Sequence, residues 1–339
     1  MGNYLDFALK IARRETQALT RARERWLACL KIIFVHYYCF SLFLVYGIKP
    51  ILSSHRQSFL RFFKTKILTC NCSFSELTSH TTKEISSALE PEQLDRLITA
   101  LKSKFDFSTV REFTVEAGRA DSITREKLEV LHRHRVSRIS VNPQTMKQET
   151  LDIIGRKASV EQVLTAYQLV REVGFDNINM DLILGLPGEL EADVQRTIEK
   201  IVELAPDSLT VHSLAIKRAS RLNQWIQENG VSMLHNTDET MKIAAAGAEK
   251  LGMKPYYLYR QKNMSGNFEN TGYARPGKYG LYNILIMEEK QTIVALGAGS
   301  ITKRVFPDGR IERCDNVKDV GLYIEKIDEM IKRKRELFT

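Results

Sequence analysis

DNINMDLILGLPGE, residues Asp176–Glu189, reads as a strand that delivers an acid towards its end and then turns tightly into a helix. Ile178, Met180, Leu182 and Leu184 alternate with Asn177, Asn179, Asp181 and Ile183, the pattern of a strand with two different faces. Gly185, Pro187 and Gly188 break it. Beyond Glu189, residues Val194, Ile198, Ile201, Val202 and Leu204 recur at helical spacing. An acid buried inside a strand is costly unless a partner or ligand satisfies it, which singles out Asp181.

The same grammar extends on both sides. Glu112–Ala117, Ser137–Asn142 and Ser208–Leu214 read as strands, and Pro91–Phe105, Thr124–His134, Thr145–Ile154 and Val160–Val173 as helices. Regular alternation of the two implies an α/β fold with parallel strands joined by helical crossovers. Unequal spacing between the strands argues against a solenoid. A helix over Thr237–Leu251 is followed by short strands at Pro255–Arg260, Tyr282–Glu288 and Thr292–Leu296. A hairpin around Pro307-Asp308-Gly309 and a charged helix over Asp319–Leu337 complete a smaller α+β unit. Three regions are expected: an atypical segment 1–88, an α/β body 89–235 and the C-terminal unit 236–339.

The chain has 339 residues, 43% of them hydrophobic, enough for a substantial core. Its formal charge is +9, but residues 1–88 hold 13 Lys and Arg against 5 Asp and Glu, so the body is nearly neutral and no nucleic-acid partner is expected. Five cysteines in a chain this long form no disulfide framework, and a reducing cytoplasm is the default location. Residues 32–48, IIFVHYYCFSLFLVYGI, form an apolar run near the lower limit of roughly 17–25 residues for a membrane span. Its Tyr and Phe content suits an interface better than a bilayer centre, so a buried segment is preferred to an anchor.

Ligands of parallel α/β folds bind at the carboxyl ends of the strands. Those ends deliver Glu116, Asn142 with Gln144, Asp181 and His212, and Lys217 points to the same rim. Any one of these residues could merely satisfy a nearby backbone group; as a set they mark a small-molecule site. The segments FTVEAGRADSIT, RISVNPQTM, LDIIGRKAS and NMDLILGLPGE resemble the radical S-adenosylmethionine enzymes. With MSGNFENTGYARPGKYGLYNILIM and IVALGAGSITK, they are similar to the oxygen-independent coproporphyrinogen III oxidase group, in its coproporphyrinogen dehydrogenase branch. The resemblance covers residues 89–339.

It implies a partial parallel (β/α) barrel binding S-adenosylmethionine and a [4Fe–4S] cluster. It also implies oxidative decarboxylation of coproporphyrinogen III to protoporphyrinogen IX in porphyrin and haem biosynthesis. The substrate would be a small tetrapyrrole, with an electron acceptor that the residues do not identify. By position, Glu116 matches the acid that meets the methionine ammonium, and Gln144 an amide at the adenosine. Arg156 matches an arginine facing the cofactor carboxylate, and Asp181 an acid at the sugar hydroxyls. The resemblance implies a substrate-side loop at Tyr273–Gly280, which a packed turn explains equally well. Gly297-Ala298-Gly299 is either a close approach to a ligand or a strand-end turn.

The front of the chain departs from the family. Three cysteines spaced C-x-x-x-C-x-x-C hold the cluster there, because iron–sulfur clusters need thiolate ligands. That spacing is absent; Cys70 and Cys72 are the nearest fragment, and Cys39 would have to come from the apolar run. A glycine-rich turn before Pro91 is replaced by HTTKEISSALEP, so the barrel is expected to lack its first strands and to leave Glu112–Ala117 as an unpaired edge. The alternative to an oxidase is a remnant without the cluster that at most binds S-adenosylmethionine or a tetrapyrrole. Residues 1–88 are then a replaced segment or a frame-shifted reading. Nucleotide sequencing upstream of Leu89 checks the frameshift form: an intact C-x-x-x-C-x-x-C in another frame is its expected result, and no such motif in any frame removes it.

Overall fold

The computed structural model describes residues 31–35, 77–81, 89–215, 230, 234–260, 266 and 268–339. Among them, eleven strands form one sheet. In chain order these are β1 (Lys31–Val35), β2 (Leu77–Thr81), β3 (Val110–Gly118), β4 (Arg138–Gln144), β5 (Ile178–Leu184) and β6 (Ser208–Ser213). They continue as β7 (Lys254–Tyr259), β8 (Asn270–Ala274), β9 (Thr292–Leu296), β10 (Ile301–Val305) and β11 (Ile311–Asp315). From β1 to β6 every neighbouring pair is parallel, and the sheet curls into a half-barrel. Strand β8 pairs antiparallel with β6 and β7 with β8; on the other flank β9 runs parallel to β1 and carries the β10–β11 hairpin.

Helices α1 (Pro91–Lys102), α2 (Arg125–Arg133), α3 (Gln148–Ile153), α4 (Val160–Glu172) and α5 (Glu191–Leu204) fill the crossovers. Their starts are encoded locally. Pro91 opens α1, and the Thr124 and Ser159 hydroxyls accept the Lys127 and Gln162 amides ahead of α2 and α4. Helix α6 (Asp238–Lys250) precedes β7, α7 (Leu281–Met287) lies between β8 and β9, and α8 (Val320–Glu325) with α9 (Ile327–Phe338) ends the chain.

Three expectations are corrected. Strand β3 is no edge, because β2 pairs with it and β1 with β2. The segment Leu-Thr-Ser-His-Thr supplies β2, where its β-branched threonines suit a strand, and the apolar Ile32–Val35 has the composition of an interior parallel strand. Tyr282–Glu288, read as a strand, is helix α7, and the terminal helix is broken at Lys326. Residues 36–48, the rest of the apolar run, lie outside the described residues. No helix among the described residues is long and apolar enough to cross a membrane.

The central strands have two chemically opposite faces. Phe113, Val115, Ile139, Val141, Ile178, Met180, Leu182, Leu209 and Val211 pack in one core cluster with Leu94 and Ile98 of α1, Leu128 and Leu131 of α2, Val163 and Val170 of α4, and Ile198 of α5. The alternate positions are polar: Glu112, Thr114 and Glu116 on β3, Arg138, Ser140 and Asn142 on β4, Asn179 and Asp181 on β5, Ser208, Thr210 and His212 on β6. The amino ends of the strands are closed. Buried Glu112 accepts the Leu281 and Tyr282 amides at 2.6 and 3.3 Å, fixing the start of α7. Arg138 donates to Ser208 Oγ at 2.8 Å and to the Lys278 carbonyl at 3.3 Å.

Helix α6 packs on α5 through Gly247, where an added Cβ would lie 2.2 Å from Ile198 Cγ2. Alanine is the better helix former by about 1 kcal/mol, but the overlap outweighs it. Gly247→Ala is expected to destabilise the chain by about 1–3 kcal/mol in urea unfolding, as overpacked core positions do.

Candidate functional site

The carboxyl ends of β3–β6 form a polar rim. Strand β4 is bulged there: its register against β5 shifts between Val141 and Gln144, and Pro143 brings no N–H to the ladder. Gln144 emerges with φ 71°, a left-handed conformation uncommon for a residue with a side chain. It is 2% exposed, and among the described residues its Nε2 has no hydrogen-bond partner. A buried polar atom of this kind calls for an explanation, since most are paired.

Glu116, on the neighbouring strand, is half-buried and accepts Asn142 Nδ2 at 3.2 Å. Asp181, buried, accepts Asn179 Nδ2 on Oδ1 at 2.7 Å, while its Oδ2 lies 3.9 Å from His212 Nε2. His212 Nδ1 is 3.5 Å from the Tyr259 hydroxyl. Arg156 lines a small pocket at the end of β4 with Arg119, Asp121, Asn142 and Lys157. In that pocket Arg119 pairs with Asp121 and holds its carboxyl below the usual range. Gln144 is the last residue of β4, Glu116 lies two residues before the end of β3 and Asp181 sits at the middle of β5, while Arg156 lines the pocket at the end of β4. Lys217 lies outside the described residues.

Two other expected contacts turn out to be structural. The Tyr273–Gly280 loop packs at the amino ends of the strands, away from the rim: the Arg275 amide donates to the Asp207 carbonyl, and Lys278 pairs with Asp176. The Gly297 turn is held by its own surroundings, its amide donating to Tyr323 and its carbonyl accepting from Asn316 Nδ2 at 2.7 Å.

S-adenosylmethionine combines an ammonium, a carboxylate, ribose hydroxyls and an adenine, and the rim offers acids, an arginine and an unpartnered amide to match. This donor set fits. An iron–sulfur cluster does not fit the described residues. Their one cysteine, Cys314, is buried in β11 at the far end of the sheet, and no group of three His, Cys, Asp or Glu among them could hold a metal. Cys39, Cys70 and Cys72 lie outside the described residues.

Inspection of the sequence missed the layer beneath the rim: Ser140, Asn179 and Thr210, with Tyr257 from the flanking strand. Asn179 donates to Ser140 Oγ at 3.1 Å as well as to Asp181, and accepts from Ser208 and Thr210 at 3.0 and 3.3 Å. The signal was present as a polar residue at every second position of four strands.

The Radical SAM superfamily matches residues 88–201. The oxygen-independent coproporphyrinogen-III oxidase-like protein HemZ of Bacillus subtilis is 43% identical over 258 residues, covering 74% of this chain and 52% of that protein. The heme chaperone HemW of Lactococcus lactis is 30% identical over 215 residues, covering 63% of this chain and 53% of the relative. The chain thus spans about half the length of these curated relatives. The solved coproporphyrinogen III oxidase HemN from Escherichia coli aligns with TM-score 0.66 at 19% identity, over 93% of this chain and 73% of that one. That likeness is one of fold, and HemN is described as a radical SAM enzyme.

The loops after β4 and β5 are clasped together. Thr145 Oγ1 donates to buried Glu189 at 2.5 Å, and Lys147 Nζ donates to the Gly188 carbonyl at 2.9 Å and to Asp193 at 3.1 Å. Burial, aided by the nearby Asp193 charge, pushes the Glu189 carboxyl above the ordinary glutamate range. The folded chain therefore holds this proton to higher pH than the unfolded chain. The stability Glu189 confers is full below the ordinary glutamate value and is lost as pH rises through the raised folded value. Glu189→Gln, neutral throughout, is expected to flatten that loss. Unfolding free energies measured from about pH 4 to 8 should show the wild type falling relative to the variant, by no more than about 1.4 kcal/mol per pH unit for one proton.

Proposed function

Because the chain belongs to the radical S-adenosylmethionine superfamily, we propose that its rim binds S-adenosylmethionine and that it acts in haem biosynthesis on a tetrapyrrole, as an oxygen-independent coproporphyrinogen III oxidase type of protein. The observation that carries this proposal is the buried Gln144 Nε2, without a partner among the described residues at the bulge where β4 ends, with acids on the strands to either side. Glu116 takes the ligand's ammonium through a charge-assisted hydrogen bond. Arg156 faces its carboxylate, Asp181 accepts from the ribose hydroxyls and Gln144 meets the adenosine. S-adenosylmethionine, given one electron from an iron–sulfur cluster, would supply hydrogen-abstracting chemistry; the chain's own residues would orient it and exclude water from the half-barrel.

The substrate would be a coproporphyrinogen bearing propionate side chains, in keeping with the relatives named for that oxidation. Residues 89–235 would form the cofactor body and 236–339 the unit that closes it. A haem-handling role is the second possibility, since chaperone-named relatives match the same stretch.

Calorimetric titration of the purified full chain with S-adenosylhomocysteine tests the pocket. Gln144→Leu is expected to weaken binding about tenfold or more, since a buried amide-to-ligand hydrogen bond is lost. Unchanged affinity would remove Gln144 from the site. Iron and acid-labile sulfide after anaerobic reconstitution, followed by assays for protoporphyrinogen formation and for haem binding, separate the two activities. Conversion supports the oxidase, and haem binding without conversion supports the chaperone.

A further inference from the structure

Beneath the rim, buried polar groups form a chain of hydrogen bonds whose direction can be read throughout. Arg138, 3% exposed, donates to Ser208 Oγ at 2.8 Å, and Ser208 donates to Asn179 Oδ1 at 3.0 Å. The Asn179 amide divides the line. One bond runs to Asp181 at 2.7 Å and the other to Ser140 Oγ at 3.1 Å. Ser140 then donates to Asn142 Oδ1 at 2.6 Å, and Asn142 Nδ2 donates to Glu116 at 3.2 Å. A carboxylate only accepts, so each amide nitrogen must face its acid and each amide oxygen must face a hydroxyl. With Thr210 as the second donor to Oδ1, all four hydrogen-bonding sites of Asn179 are filled.

We infer that Asn179 is the positioning residue of the ligand site, setting Asp181 directly and Glu116 through Ser140 and Asn142, so that the two acids are held at one span for a ligand with a sugar at one end and an ammonium at the other. The inference rests on the nucleoside and amino-acid assignment of the rim proposed above. The two acids are two strands apart and offset by two residues along them, because Glu116 is in register with Ser140 and Ser140 with Asn179; their Cα atoms are therefore roughly 12 Å apart, too far for the acids to touch but within the reach of one such ligand. Arg138 polarises the line from below, and hydrogen bonds in series strengthen one another. The groups facing Asn179 and Asp181 from neighbouring elements are Glu116 on β3, Arg138 on β4, His212 on β6, and Tyr257 and Tyr259 on β7.

Two substitutions in the full chain and two probes test this. S-adenosylhomocysteine spans both acids; 5′-methylthioadenosine has the sugar but no amino-acid part. Asn179→Asp places a second carboxylate against Asp181, and two such acids share a proton at low pH but repel when both are ionised. Relative to wild type at the same pH, this variant is expected to bind 5′-methylthioadenosine normally near about pH 5, where the shared proton replaces the bond to Asp181, and to lose about tenfold or more of that affinity by about pH 8; S-adenosylhomocysteine, which also needs the bond to Ser140 that the aspartate no longer donates, is weakened at both pH values and more at the higher. Ser140→Ala cuts only the branch to Glu116. It should weaken S-adenosylhomocysteine about tenfold and leave 5′-methylthioadenosine unchanged. Should Asn179→Asp fail to fold, the selectivity of Ser140→Ala decides. A loss in Asn179→Asp that does not vary with pH, or a Ser140→Ala chain that binds both probes like wild type, overturns the assignment. If wild type binds neither probe, the ligand assignment of the rim fails, and the positioning role falls with it.

Discussion

Everything in the half-barrel follows from one constraint: a sheet whose outer face is apolar and whose inner face is polar must satisfy that inner face without bulk water. Unpaired buried amides and hydroxyls cost about 1–3 kcal/mol each, so a dozen of them left alone would exceed the net stability of an ordinary domain. The central strands answer by pairing with each other. Ser140 is fully buried, as is Ser208, and each both donates and accepts, passing bonds from β6 through β5 to β4 and β3. The apolar outer face needs no such specificity; Ile139, Ile178 and Met180 merely meet the helices that cover them.

Closure at the amino ends keeps this network dry. Glu112 fixes α7 across the opening, and Arg138 ties the loop before it. From the flank, Tyr256 and Tyr257 press against the interior, and burial pushes both hydroxyls up, so they remain neutral; Tyr257 donates to Thr210 Oγ1 and Tyr256 accepts from Asn283 Nδ2. Tyr257 reaches its place because β8 offers Gly272 opposite: a Cβ there would lie 1.8 Å from the ring. Thus the C-terminal strands and α7 complete the interior of the half-barrel, and the loop at Tyr273–Gly280 that resembles a substrate element works as a wedge at its base. The opposite end is left as the place where a ligand can meet the polar face.

The α/β architecture was legible because Phe113, Val115, Ile139, Val141, Met180 and Leu182 occupy alternate positions and Pro91, Thr124 and Ser159 announce helices. The rim residues were legible as strand-end polar groups. Helix α7 was not: Tyr-Asn-Ile-Leu-Ile has strand composition, and the acceptor for its first amides is Glu112, 169 residues away in sequence. Strand β2 was hidden for a similar reason, since Leu-Thr-Ser-His-Thr carries no period and exists as a strand by pairing. Asn179 was visible as a polar position, but its meaning was not. Its partners Ser140 and Ser208 lie 39 and 29 residues away, and sequence spacing carries no information about such bonds.

Gln144 shows how the network and the rim are related. Where the polar line ends, at Asn142, the strand gives up its ladder through Pro143 and enters a left-handed conformation that costs a residue with a side chain about 1–2 kcal/mol. The same residue buries an amide without a partner among the described residues, a second cost of similar size. A pure scaffold would remove both by continuing β4 as a regular strand. Two unfavourable features on one buried residue are the mark of a position kept for something other than the regularity of the strand. The interior network is satisfied, and on the proposed reading a ligand partners Gln144 Nε2, the rim atom without a hydrogen bond among the described residues.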